Sequence, residues 1–280
     1  MAKLAENRYG KSRVRLSRIT RNGDRHDFAE WTVRVLLHGD FETSFTAADN
    51  SKILPTDTMK NTVYCIARGS KAATMEDFAM ELGDYLLTNN SQVTKASIEI
   101  SDKAWERLTL DGAEEATTFK LGGPELYTTH AIREQGGQWQ ITSGFADLTI
   151  LKTTKSAFTG YIKNPQTTLP ESTDRIFGTR ATVTWGYLEL PVSYAAIRAT
   201  ALTTLLKVFA EHDSLSVQHT LYDIGKAMLE AVPELSQVKL TMPNLHCNLV
   251  DLSRFGQTNP NQIFVPIDEP HGYIEAVIKR

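Results

Sequence analysis

Two polar stretches gather residue types able to bind and to move protons. Residues 53–64 read ILPTDTMKNTVY and place Thr56, Asp57, Thr58, Lys60 and Asn61 between apolar runs. Residues 166–179 read QTTLPESTDRIFGT and repeat the order Leu-Pro, hydroxyl, Asp, basic residue, with Leu169-Pro170 and Asp174-Arg175 beside Leu54-Pro55, Asp57 and Lys60. Alone, the first stretch reads as a helix start, with Thr or Asp capping free N–H groups and Lys60 turned to water. A second stretch of the same order, in the other half of the chain, points to an internal duplication. Arg175 reads either as a surface partner for Asp174 or Glu171, or as a planar fork for a planar acceptor edge. Gln218 near a helix start reads as solvated. Phe158 in KSAFTGY reads as core or as a stacking platform. His246, between a Pro-Asn turn and a strand, reads as a hydrogen-bonded histidine, and Lys11 in RYGKSRVRL as one solvated lysine among many.

The elements that must position these residues follow from hydropathy. Residues 12–21 and 30–41 alternate, with Val14 and Leu16, then Val33, Val35 and Leu37, around an Asn-Gly-Asp turn, and predict an antiparallel hairpin. TVYCIAR (62–68) reads as a short strand or a buried helix start. Residues 74–89 predict a helix with Met75, Phe78, Leu82, Tyr85 and Leu86 on one stripe and a Thr74–Asp77 cap. Strands are expected at 93–101, 104–110 and within 120–150. The second half repeats the order: FADLTILK, RATVTWGYLEL, helices at 193–210 and 216–230, then QVKLTMP, CNLVDL, IFVPI and YIEAVIK. The fold class expected is α+β, with two tandem ββαββ-like units divided near Gly136, residues 1–136 and 137–280. Open sheet edges in each unit call for cover by another copy.

Composition narrows the class. The chain has 280 residues, 41% hydrophobic and 22% charged, with a net charge of −3. Those values fit a soluble globular protein and give no electrostatic reason to expect nucleic acid. No apolar run is long enough to span a bilayer, and MAKLAENRYGK is too polar for a signal peptide. Cys65 and Cys247 read as buried reduced thiols. The seven histidines show no i,i+2 or i,i+4 pairing, and CxxC, GxGxxG, GxxxxGK[ST] and GxSxG are absent, so no metal or nucleotide cofactor is expected. IEAVIKR carries no peroxisomal tripeptide, which gives a cytoplasmic expectation.

Five stretches in order carry a family resemblance: YGKSRVRL (9–16), VLLHGDFETSFTAADNSKILPTDTMKNTVY (35–64), LTILKTTKSAFTGYIKNPQTTLPESTDRI (148–176), SLSVQHTLYDIG (214–225) and TMPNLHCNLVDL (241–252). Together they resemble the urate oxidases (uricases), over nearly the whole chain. The resemblance implies two tunnelling-fold units, a homotetramer around a β-barrel tunnel, and active sites between subunits. It implies oxidation of urate by dioxygen, without cofactor, to 5-hydroxyisourate and hydrogen peroxide. It carries over Arg175 and Gln218 as clamps on the purine edge, Phe158 as the stacking ring, and Leu169 and the Val217 backbone as pocket walls. Lys11, Thr56 and His246 become the proton relay. Asn244, with Thr56, frames the dioxygen or peroxide, and Asp57 anchors the far side of the ring. The residue types suit a planar, amide-edged anion whose deprotonation makes it a better electron donor.

The sequence also departs from the family. Leu245 stands where a Lys is common, Asn164 where an Asp is, and Thr179-Arg180 where Thr-Asp is. DGAEEATTF (111–119) replaces a His-containing loop, and the chain stops early at Arg280. A purine- or pterin-binding protein of the same fold without oxidase activity is the alternative. Binding alone needs Arg175, Gln218 and Phe158; Lys11, Thr56 and His246 favour an enzyme. A pterin-making relative would need metal histidines that the spacing does not supply.

Overall fold

Val33, Val35 and Leu37 alternate along one strand and are fully buried, because every second side chain of a strand faces the same side. That strand belongs to the first of two compact units in a computed structural model describing residues 2–191 and 193–280, the Asp268 side chain apart. The units comprise residues 1–144 with 190–194, and residues 145–189 with 195–280.

The first unit contains β1 (Tyr9–Asn22), β2 (Arg25–Gly39), α1 (Glu42–Thr46), α2 (Thr56–Gly69), α3 (Met75–Asn89), β3 (Val93–Leu110) and β4 (Ala113–Glu134). Its strands lie in the order β1-β2-β3-β4, with antiparallel pairing. The expected hairpin is present, turning at Gly23-Asp24. The α3 stripe is also as expected: Met75, Phe78, Leu82 and Leu86 are buried, and Trp31 of β2 packs on Phe78 with ring centroids 5.1 Å apart. Thr74 accepts from the Asp77 N–H at 3.2 Å. Tyr85 leaves the stripe and is exposed.

Three local stretches are resolved by the structure. TVYCIAR lies inside α2, a helix that buries Met59 and Val63 and leaves Cys65 exposed. Its β-branched residues join a helix because those two side chains, four apart, share its buried face. The strands expected at 93–101 and 104–110 are one long strand, β3, kept continuous by register shifts against β4. DGAEEATTF is a hairpin turn at Asp111-Gly112, both with positive φ, followed by the start of β4.

The second unit takes in most of β5 (Gln140–Lys152), then β6 (Phe177–Tyr187), α4 (Tyr194–Glu211), α5 (Val217–Ala231), β7 (Leu235–Thr241), β8 (Asn244–Leu249), β9 (Phe264–Gly272) and β10 (Glu275–Lys279). Its strands run β5-β6-β7-β10, with β8 joining β6 and β9 joining β8. Phe145 of β5 meets Trp185 of β6 at 5.1 Å, while Leu221, Ile224 and Met228 of α5 are buried. The α+β reading stands. Among the described residues β1 pairs only with β2 and β10 only with β7, so each unit ends in an open strand. Among the described residues, no helix is long and apolar enough to cross a membrane.

Candidate active site

Arg175 precedes β6 in a segment with little regular structure, and its position is fixed through the main chain. Its N–H donates to the Ser156 carbonyl at 2.8 Å. Ser156 forms a bridge with Ser214, and the Ala157 N–H donates to the Ser214 carbonyl at 2.7 Å. Phe158 and Ser172 exchange two backbone hydrogen bonds. Segment 156–158 thus stitches Arg175 to Phe158 and to the loop that opens α5.

The side chains follow from this frame. The Arg175 guanidinium carbon lies 5.3 Å from the Phe158 centroid. Tyr161 stacks on Phe158 at 4.8 Å with a 13° interplanar angle, and its hydroxyl donates to the Leu169 carbonyl at 2.5 Å. Neither nearby carboxylate takes the arginine. Asp174 accepts from Thr154 Oγ1, and Glu171 pairs with Lys163 at 2.9 Å. Among the described residues no carboxylate pairs with Arg175, which excludes its reading as a surface ion-pair partner. Burial lowers its pKa from the ordinary arginine value. A half-buried, desolvated guanidinium without a counter-ion favours an anionic ligand. Phe158, Leu169, Arg175, Cys247 and Phe264 help line a cavity of about 590 Å³, a size suited to a small molecule.

Val217 and Gln218 are the first two residues of α5, after the Ser216 cap, whose hydroxyl accepts from the His219 N–H at 3.1 Å. The Val217 and Gln218 N–H groups precede the first bonds of the helix and favour negative charge. Val217, Gln218, Asn244 and His246 do not themselves line the cavity. His246 lies within β8, not ahead of it; that strand starts at Asn244, because Asn244 and Leu245 pair with Thr179 and Gly178 of β6. The His246 pKa is lowered from 6.5, first by burial and then by the Arg175 charge and by His271. The native state therefore binds fewer protons here than the unfolded chain, and acidification from about 6.5 through the lowered value costs stability. In an NMR titration His246 should protonate below 6.5, and Arg175→Gln should raise that midpoint while leaving the burial effect. An unchanged midpoint would mean that Arg175 does not act on it.

Lys11, Thr56 and Asp57 belong to the first unit. Lys11 stands opposite Val35 just before a bulge, where Ser12 and Arg13 oppose Arg34 alone and Arg13 has φ +58°. Such a bulge re-aims the strand. Gly10 is obligatory in this register: a Cβ there would sit 1.8 Å from the Val35 carbonyl oxygen. Thr56 opens α2, but Pro55 holds the cap position and no side chain caps the helix. Asp57 instead accepts from Lys60 at 2.5 Å and from Asn61 at 3.2 Å, so Lys60 is engaged rather than merely solvated. Lys60, foremost, keeps the Asp57 pKa below the usual value, and the Lys11 charge adds to this. Tyr9 ties the two segments: its hydroxyl accepts from the Leu54 N–H at 2.8 Å and donates to the Leu54 carbonyl at 3.1 Å. Tyr9 and Tyr161 lie inside the quoted stretches YGKSRVRL and KSAFTGYIK, but their roles escape a reading of the sequence because each acts through its hydroxyl on a distant carbonyl.

Leu245 and Arg180 line one further cavity, with Asp147, His271 and Tyr273. Two residues 65 positions apart in sequence are therefore neighbours in space.

A guanidinium over an aromatic ring, beside a cavity of small-molecule size, is an arrangement suited to a planar anion. The uricase family model matches residues 7–131 and 141–275. The chain belongs to the uricase family. It is 40% identical over 277 residues to the uricase of Arthrobacter globiformis, covering 99% of this chain and 90% of that one. It is 37% identical over 283 residues to the uricase of Dictyostelium discoideum, covering 100% and 98%. The crystal structure of the Arthrobacter globiformis uricase superposes with a TM-score of 0.94 at 39% identity, covering 100% of this chain and 96% of that one.

Proposed function

We propose that this chain oxidises urate: urate, dioxygen and water give 5-hydroxyisourate and hydrogen peroxide, with no metal or organic cofactor. The observation that carries the reading is Arg175, half-buried, without a carboxylate and held against Phe158 beside a cavity. Urate is a flat monoanion with carbonyl and N–H edges. It takes the place of the guanidinium on the Phe158 face, while Arg175 swings to grip its edge together with Gln218 and the Val217 N–H. Tyr161, anchored on Leu169, backs the ring. Lys11 and Thr56 remove the second proton, which makes the purine a better electron donor. Two electrons then pass from urate to dioxygen held near Asn244 and Thr56, and His246, kept neutral by burial, orients the water that adds at C5. Asp57 anchors the far side of the purine. Two tandem tunnelling-fold units, 1–136 and 137–280, assemble as a homotetramer with sites shared between subunits, acting in the cytoplasm.

The test is aerobic incubation of chelator-treated protein with urate, following loss of urate absorbance and formation of peroxide. Turnover should survive. If chelation abolishes it and added metal restores it, the cofactor-free chemistry is wrong. Urate binding without consumption would favour the alternative, a purine-binding protein. Arg175→Lys should weaken binding of a non-oxidisable urate analogue by about 1.5–3 kcal/mol, since a point charge replaces a bidentate fork. That is about ten- to a hundredfold in Kd, readable by calorimetry; unchanged affinity would remove Arg175 from the clamp.

A further inference from the structure

His212, His219 and Asp223 offer three ligand atoms within 4.8 Å of one another. His212 follows the last turn of α4, while His219 and Asp223 stand i,i+4 on α5. His212 Nε2 lies 2.8 Å from Asp223 Oδ2, and His219 Nε2 lies 3.5 Å from the same oxygen. The imidazoles meet edge to face with centroids 4.5 Å apart. Two ring nitrogens thus converge on one carboxylate oxygen. We propose that these residues bind one divalent transition-metal ion of the zinc class, on the turn of α5 that directly follows Val217 and Gln218.

The donor set fits that class. Two imidazoles and a carboxylate suit zinc and its neighbours, and three protein ligands leave a position for water. Ligand atoms around a tetrahedral ion stand about 3.3 Å apart, so small side-chain rotations would close the present spacing. His219 is exposed and opens the site to solvent, whereas His212 and Asp223 are partly covered.

A second observation concerns the far nitrogen of His212. Its Nδ1 lies 3.2 Å from Oγ1 of Thr220, a fully buried residue. Thr220 Oγ1 is 2.7 Å from Ser214 Oγ, which donates to the Ser216 carbonyl at 3.1 Å. A carbonyl only accepts. In the metal-free chain Nε2–H donates to Asp223 and Thr220 Oγ1 can donate to Nδ1; once a cation takes Nε2, Nδ1–H can donate to Thr220 while the two hydroxyls pass their protons towards the Ser216 carbonyl. An outer hydrogen bond that fixes the tautomer is the usual support of a metal-bound histidine. Lys152, whose Nζ donates to the His212 carbonyl at 2.5 Å, opposes a cation here, and Asp213 offsets it. The spacing of the sequence hides the site, because His212 and His219 are seven residues apart and join only when α5 packs after α4.

Calorimetric titration of the metal-free protein with zinc chloride should give one equivalent bound per chain, with proton release in buffer-dependent heats. Cobalt chloride should give visible absorption bands of low-symmetry coordination. His219→Ala, on an exposed face, should weaken zinc binding about a hundredfold, and Thr220→Val about ten- to a hundredfold. His26→Ala, far along the chain, should leave it unchanged. Circular dichroism checks that each variant folds, and His219→Gln substitutes for any that does not. Absence of stoichiometric binding, or equal binding by wild type and His219→Ala, would overturn the proposal.

Discussion

Lys11→Met should lower turnover of urate by about two to four orders of magnitude, the usual worth of a positioned general base, and should leave binding of a non-oxidisable analogue nearly unchanged. Lys11 is set by local backbone: Gly10 lets β1 approach the Val35 carbonyl, and the bulge at Ser12-Arg13 re-aims the chain directly after it. Its charge reaches Asp57 at the opening of α2, so ammonium and hydroxyl turn lie in one neighbourhood of the first unit. A methionine keeps the length of the stem and removes the proton acceptor. Arg175→Lys is the contrasting variant, losing analogue affinity first. The measurements are kcat from initial rates and Kd from calorimetry on both proteins. Equal loss of analogue binding in the two variants would sink this division of labour.

The parts of the fold legible in the sequence are those where one face is buried and the other wet. Val33, Val35 and Leu37 announce β2 by strict alternation, and Phe78, Leu82 and Leu86 announce α3 by helical spacing; both periods survive because a core lies on one side only. Residues 62–68 left strand and helix open because β-branched and aromatic residues favour strands on average, whereas Met59 and Val63 bury one helical face and decide for the helix. Cys65, on the other side of that helix, is exposed for the same reason. At the site, the residue types of Arg175 and Phe158 could be read, but not the ring of backbone bonds through Ser156 and Ser214 that brings them together. Nor could the freedom of Arg175 be read: two acids lie within four residues, and only the structure gives them to Thr154 and Lys163. Contacts of long sequence separation leave no period behind. The same holds for Leu245 and Arg180, which look like unrelated departures until β6 and β8 pair.

The co-expression of two inactive chains, Thr56→Ala and Arg175→Ala, should restore about one quarter of wild-type sites if each site borrows Thr56 from one subunit and Arg175 from its neighbour. The two residues lie in different compact units of the chain. Each unit also ends in an open strand, the 14-residue β1 in one case and β10 in the other, and exposed edges of that kind are covered in stable proteins. Association through a two-fold axis supplies the cover and makes two equivalent sites. In a mixed pair one site then inherits both defects and the other inherits neither. Random mixing gives half of the pairs as mixed, and half of the sites in those are intact, which is the source of the quarter. Combining the separately purified variants should restore less, since subunits must first exchange. The readout is urate consumption, with native mass spectrometry of distinguishably tagged chains to establish that mixed oligomers form. A mixture that contains mixed oligomers and yet stays as inactive as either parent would put Thr56 and Arg175 in the same chain's site, and the proposed sharing between subunits would fall.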